Sequence, residues 1–224
     1  MEWRLLSYSG SSSANRDFLA QEYFNTAVFG ATWVAALGFG ARTLFKYETT
    51  PGTVGLVSSS WPAGSVVPRQ TDKPTLLMLA HSHCPCTRAS IGELAQVMAH
   101  AGGKVNAFVL FVKPPSSGAD WDDTDLRRSA AAIPGVTVLT DEKGTEAAKF
   151  GAETSGHTLV FDREGMLLFS GGITASRGHA GDNAGESAVL AALRGETMAQ
   201  SRTPVFGCSL RKRNSATEPI LCLK

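Results

Sequence analysis

Two thiols set one proline apart carry the clearest chemistry in this 224-residue chain. Cys84-Pro85-Cys86 lies within His81-Ser82-His83-Cys84-Pro85-Cys86-Thr87-Arg88-Ala89-Ser90. Leu76 to Ala80 before it reads as a short buried strand. Ile91, Leu94, Ala95 and Met98 after it recur at helical spacing, so the cysteines fall on a strand-to-helix turn. A helix start lowers a thiol pKa through its open N–H groups and its dipole, and Arg88 adds positive charge nearby. The thiolate so favoured attacks disulfides or binds soft metals. A cysteine is often only a small buried hydrophobe, but a pair flanked by His, Pro and Arg at a helix mouth fits that role poorly. In Cys-x-Cys the Cα separation approaches the upper limit for a disulfide unless the backbone bends, and Pro85 favours a bend. A strained bridge of this kind is easily reduced, which suits an exchanger.

The elements that would position this pair can be read along the chain. A strand over Thr75–Ala80, the cysteine turn, a helix from about Ser90 to Ala101 and a β-rich run Val105–Val112 make a β-α-β unit with parallel pairing. Trp121–Ile133 reads as a helix with Asp120, Asp122 and Asp123 near its positive end. A strand Val136–Leu139 and a helical turn Thr145–Phe150 follow. His157–Phe161 and Met166–Ser170 then flank the tight connection Asp162-Arg163-Glu164-Gly165 as a hairpin. Gly185–Arg194 reads as a closing helix, with Asp182 or Asn183 as its cap. No internal repeat is visible.

The formal net charge of +1 gives no support to nucleic-acid binding, and four cysteines are too few for a disulfide-dense scaffold. From Tyr23 to Ala41 no charged residue occurs. That stretch is just long enough to span a membrane, with Tyr23 and Trp33 as aromatic anchors; a buried core helix and an export signal are the competing readings. Arg4 and Arg16 before it and Arg42 and Lys46 after it leave its orientation undecided by charge. Thr49 to Lys73 is rich in Pro, Gly and Ser, as a linker is. The expected organisation is an N-terminal segment 1–22, a transmembrane anchor 23–45, a linker 46–73, a domain 74–196 and a cysteine-containing tail 197–224. A standing disulfide places the domain outside the cytoplasm, on the periplasmic side of a single-pass cell-membrane protein.

This order of elements, with a cysteine turn after the first core strand and a late hairpin followed by a helix, resembles the thioredoxin-like superfamily. The resemblance covers about residues 70 to 195. Asp141 to Gly151 followed by Thr158 to Gly165 is similar to the redoxin branch. The full chain most resembles the RedB-type bacterial redoxins, anchored by one N-terminal span and carrying Cys-Pro-Cys. The resemblance implies an α/β fold, a thioredoxin-like three-layer α/β/α sandwich with a mixed sheet, preceded by one transmembrane helix. Two departures stand out. One residue separates the cysteines where the family has two, so His83 falls in the first cysteine's place if Cys86 keeps the buried one. The family's cis-proline facing the dithiol is matched here by His157.

Two mechanisms follow. In the first, one thiolate of Cys84 and Cys86 attacks a protein disulfide and the other thiol resolves the mixed disulfide, with no cofactor. His81, His83 and His157 would tune thiol pKa or move protons. A strictly peroxidatic role is disfavoured, because no Pro-x-x-x-Thr-x-x-Cys pattern occurs. In the second, Cys84, Cys86 and His157 hold Cu(I) or Zn(II), a donor set reached when imidazole replaces the cis-proline. Sco-type copper chaperones share the fold, with cysteines spaced further apart. The glycine-rich loop 171–185 carries Arg177, His179, Asp182 and Asn183; it reads first as a solvent loop that caps the last helix, with approach to the cysteine turn as the alternative. Cys208, beyond the domain helix, is a candidate resolving thiol; lipid attachment, an unpaired thiol and a bridge to Cys222 are the alternatives.

Overall fold

The computed structural model describes residues 12–115 and 117–210; Arg4 and Cys222 lie outside them. The chain divides into two compact units at residue 47. The first holds all but the last two residues of helix α1 (Ser12–Thr49). From Arg16 to Thr49 this helix is long and apolar enough to cross a membrane, as a membrane anchor or a signal sequence is, and its apolar window is not buried. Phe29 and Phe39 are 79% and 74% exposed. The hydroxyls of Thr26, Thr32 and Thr43 donate to the carbonyls of Glu22, Val28 and Phe39, each at 2.8 Å. That back-bonding satisfies each hydroxyl within the helix itself.

In the second unit the strands are β1 (Thr75–His81), β2 (Asn106–Lys113), β3 (Val136–Glu142), β4 (His157–Phe161) and β5 (Leu167–Gly171). The helices are α2 (Thr87–Ala101), α3 (Asp125–Ala131), α4 (Thr145–Lys149) and α5 (Ala184–Arg194). The strands form one mixed sheet in the order β3-β2-β1-β4-β5, parallel from β3 to β1 and antiparallel beyond. Alternation along the strands builds two cores. Leu76, Met78 and Ala80 of β1, with Val109 and Phe111 of β2, meet α2, α3 and α5 through Leu94, Val97, Leu126, Ala130 and Val189. Leu77, Leu79, Phe108 and Leu110 point the other way, to Ala147 of α4 and to Phe150, Val67 and Leu210. The central strand is therefore apolar at nearly every position, as a strand covered on both faces must be.

Several boundaries differ from the sequence expectation. α2 begins three residues early, with Cys86 as its N-cap in helical conformation (φ −67°, ψ −28°). The helix expected over Trp121–Ile133 is broken into a 3-10 turn, Ala119–Asp122, and α3. Thr124 takes extended backbone between them and its hydroxyl accepts from Arg127 N–H, so it caps α3 in place of the aspartates. Asp122 is drawn instead to Arg127 at 3.0 Å and to the Thr140 hydroxyl at 2.8 Å. Asn183 caps α5 by accepting from Glu186 N–H at 2.9 Å.

The segments read as linker and tail both pack on the domain. Trp61 meets Phe150 and Phe161 edge-on at 5.0 and 5.1 Å, and its N–H bonds Gly165 O. Residues 203–210 run back along the edge of the site. Thr203 Oγ1 donates to Gly172 O, Gly52 N–H to Val205 O and Leu210 N–H to Glu153 O.

Candidate functional site

The end of β1 delivers the chain into a tight turn. Cys84 N–H bonds His81 O at 3.1 Å and Thr87 N–H bonds Cys84 O at 3.1 Å, which winds Cys84-Pro85-Cys86 into the first turn of α2. Cys84 is fully buried and Cys86 is 6% exposed. The third member of the cluster is Cys208, 4% exposed. All three are thiols. The Cys208 backbone N–H points at Cys84 Sγ across 3.4 Å.

Backbone pairing explains how a residue so distant in sequence arrives there. Ser155 N–H donates to Cys208 O at 2.8 Å, and Thr154 and Ser209 form an antiparallel bridge. Gly207 lies so close to Ser155 that a Cβ would stand 2.0 Å from its carbonyl oxygen, so only glycine allows the approach. The Arg177 guanidinium donates to Gly207 O from the glycine-rich loop.

Hydrogen bonds converge on Cys84. Ser155 Oγ accepts from His81 N–H at 2.8 Å and shares a 2.6 Å bond with Thr87 Oγ1. The Thr87 side chain in turn bonds the Cys84 sulfur. With Ser155 donating to Thr87, the Thr87 hydroxyl is left to donate to sulfur. The Cys84 thiol is held far below the ordinary thiol range, first by its hydrogen bond with Cys208, then by those with Cys86, Thr87 and the Cys208 N–H; burial opposes them. Cys86 is pushed the other way. The Cys208 hydrogen bond would lower it, but the bond to Cys84, burial and the Cys84 charge outweigh that and the pull of Arg177. One negative charge is thus favoured on Cys84 over Cys86.

The other expected site residues are placed as follows. Arg88 is exposed and paired with Asp125 at 2.5 Å, so the cation acting on the thiols is Arg177. His83 is exposed; its Nε2 bonds Trp121 O at 2.9 Å and its ring lies 4.6 Å from the indole. His81 lies nearer Cys84: burial lowers its pKa, the Cys84 charge raises it, and His83 lowers it. His157 opens β4 opposite Leu79, fully buried, with Nε2 bonded to Ser170 Oγ at 2.9 Å and Nδ1 without a hydrogen-bond partner. Burial lowers its pKa to about 4.

The metal reading therefore meets a misfit. Cys208, and not His157, completes the sulfur cluster, and among the described residues no three His, Cys, Asp or Glu side chains form a set able to hold a metal ion. Thr87 and Ser155 are contributors that the sequence does not flag. Thr87 adjoins the motif, but no spacing ties Ser155 to it.

No protein-family model matches the sequence, and no curated protein is significantly similar to it. Solved structures do match. An uncharacterized conserved protein from Geobacillus kaustophilus aligns over 75% of this chain and 95% of its own, with a TM-score of 0.54 and 18% identity. A hypothetical protein from Sinorhizobium meliloti aligns over 76% of this chain and 100% of its own, with a TM-score of 0.52 and 18% identity. A secreted Mycobacterium tuberculosis disulfide oxidoreductase aligns over 44% of this chain and 67% of its own, at 0.36 and 19%. The sheet order, with a cysteine turn after the central strand, decides the architecture. The fold is thioredoxin-like. In the thioredoxin-like arrangement the end of the central strand and the loop before β4 meet at one edge, and here Cys84, Cys86, Ser155 and Cys208 occupy that edge.

Proposed function

We propose that this chain is a membrane-anchored thiol–disulfide oxidoreductase of the redoxin kind, its domain on the periplasmic side of the cell membrane, acting on protein thiols and disulfides through Cys84 and Cys86. The observation that carries the reading is the surroundings of Cys84 Sγ, which receives a backbone N–H, a hydroxyl and neighbouring thiols as donors. A buried sulfur with that many donors is built to carry charge, and the thiolate is the attacking form. The Cys84 thiolate attacks a partner disulfide, one partner sulfur leaves as thiolate, and a mixed disulfide remains. A second thiol of the site then attacks Cys84 Sγ and releases the other partner thiol. Cys86 is the thiol the motif supplies for that step.

Stabilising the thiolate stabilises the reduced form, which makes the internal disulfide an oxidising one. The reading thus favours passing a disulfide to partner dithiols, regenerated by an external protein disulfide. The span in α1 serves as the anchor. The test is equilibration of the full chain in detergent with glutathione buffers, with thiols counted at each poise. Loss of two thiols that depends on Cys84 supports the reading; a thiol count unchanged across all poises overturns it.

A further inference from the structure

Three thiols stand together where an exchange reaction uses two, and the third arrives by a built route. Cys208 is held from both sides of its own backbone: its carbonyl accepts from Ser155 N–H at 2.8 Å and its N–H reaches Cys84 Sγ at 3.4 Å. The strand-like segment bearing it is fastened at Thr203, Val205 and Leu210 and fitted by Gly207. Cys86 sits differently. As the N-cap of α2 it lies two residues from Cys84, and although the two thiols are hydrogen-bonded, a bridge closed over so short a ring must strain to form. Cys208 comes from across the site and has no such restriction.

We infer that Cys208 is a resolving thiol for Cys84, so that a working disulfide of this protein joins residues 84 and 208 and ties segment 203–210 over the cysteine turn. This rests on the exchange reading above and adds a resolving residue to it. In the step, the Cys208 sulfur attacks Cys84 Sγ of the mixed disulfide. The bond from Cys84 to the partner sulfur breaks and the bond from Cys84 to Cys208 forms. The partner sulfur is reduced and takes the proton that Cys208 gives up, and Cys208 is oxidised. The oxidant is the partner disulfide, and an external dithiol reopens the bridge by the reverse exchange. Both sulfurs are buried, so external thiols and disulfides reach them as segment 203–210 lifts. A crosslink over 124 residues of separation also raises stability by restricting the unfolded chain.

The test uses the full chain in detergent with Cys222→Ser as background and 5,5′-dithiobis(2-nitrobenzoate) as the disulfide probe. Attack by Cys84 releases one equivalent of thionitrobenzoate, and resolution releases a second. In Cys86→Ser the second equivalent is still expected, with peptide mapping under nonreducing conditions showing Cys84 linked to Cys208. In the double variant Cys86→Ser/Cys208→Ser the adduct should persist. The inference is overturned if Cys86→Ser stops after the first equivalent and no map, the wild-type map included, contains the 84–208 link. That outcome leaves exchange through Cys84 and Cys86 standing. If Cys84→Ser releases the probe as the parent does, the exchange reading itself fails and the inference with it.

Discussion

A single hydroxyl, that of Thr87, reaches the Cys84 sulfur from inside the site. A hydrogen bond to a charged group contributes about 1.5–3 kcal/mol, which corresponds to about one to two pKa units. Thr87→Val is therefore expected to raise the Cys84 pKa by about that much and to make the disulfide less oxidising, as measured by thiolate absorbance against pH and by glutathione equilibrium. His157 gives a prediction of a different kind. Its imidazole is buried and neutral, with a pKa near 4 in the fold and about 6.5 in the unfolded chain. Between those values the unfolded chain binds more protons, so the stability contributed by keeping His157 neutral is complete above about pH 6.5 and falls as pH drops toward 4. The loss is at most about 3 kcal/mol. His81, also lowered by burial, adds in the same direction. Unfolding curves at pH 7 and pH 5 should therefore differ more for wild type than for His157→Gln. At this scale the sequence marks Cys84, Cys86 and the adjoining Thr87, while Cys208 and Arg177, which also act on these sulfurs, are remote in sequence. It misleads about Arg88, because Asp125 lies on another helix and claims its charge.

Among the elements, segment 203–210 bears most directly on the site, and it is held by backbone pairing together with the buried Val205, Phe206 and Leu210. Gly207→Ala should push it away from Ser155, since the added methyl would meet that carbonyl. The expected result is faster alkylation of Cys208 and a Cys84 pKa shifted back toward the ordinary range, read by mass-mapped labelling. α5 supplies a control away from the thiols. Asn183 caps it and also reaches Ile173 O at 2.9 Å and the buried Glu93 at 3.5 Å. Asn183→Ala should cost about 1–2 kcal/mol in chemical denaturation without changing thiol reactivity. Most elements are legible from periodicity, and the cap at Asn183 is legible from its residue type. The split of the helix near Thr124 is not, because ion pairing of Asp122 with Arg127 and its bond from Thr140 depend on strand positions that no local pattern gives. The approach of Cys208 is hidden for the same reason, being carried by Thr154 and Ser155, residues far away in the chain.

For the whole molecule, the proposed membrane location rests on α1. The helix from Arg16 to Thr49 rises about 50 Å, and its uncharged stretch Tyr23–Ala41 rises about 28 Å, close to the roughly 30 Å of hydrocarbon in a bilayer. The full chain is expected to fractionate with membranes, resist alkaline carbonate and require detergent for release. A processed, soluble form would identify the helix as an export signal instead.

The most direct test of the central claim is the acid-side reactivity of the thiols. The reduced full chain in detergent is alkylated with iodoacetamide across a pH series, and each cysteine is mapped by mass spectrometry. The account predicts that Cys84 is labelled at pH values well below the ordinary thiol range, ahead of Cys86, and that this early labelling weakens in Thr87→Val. Cys84 reacting only in the ordinary thiol range, with no lead over Cys86, would contradict it.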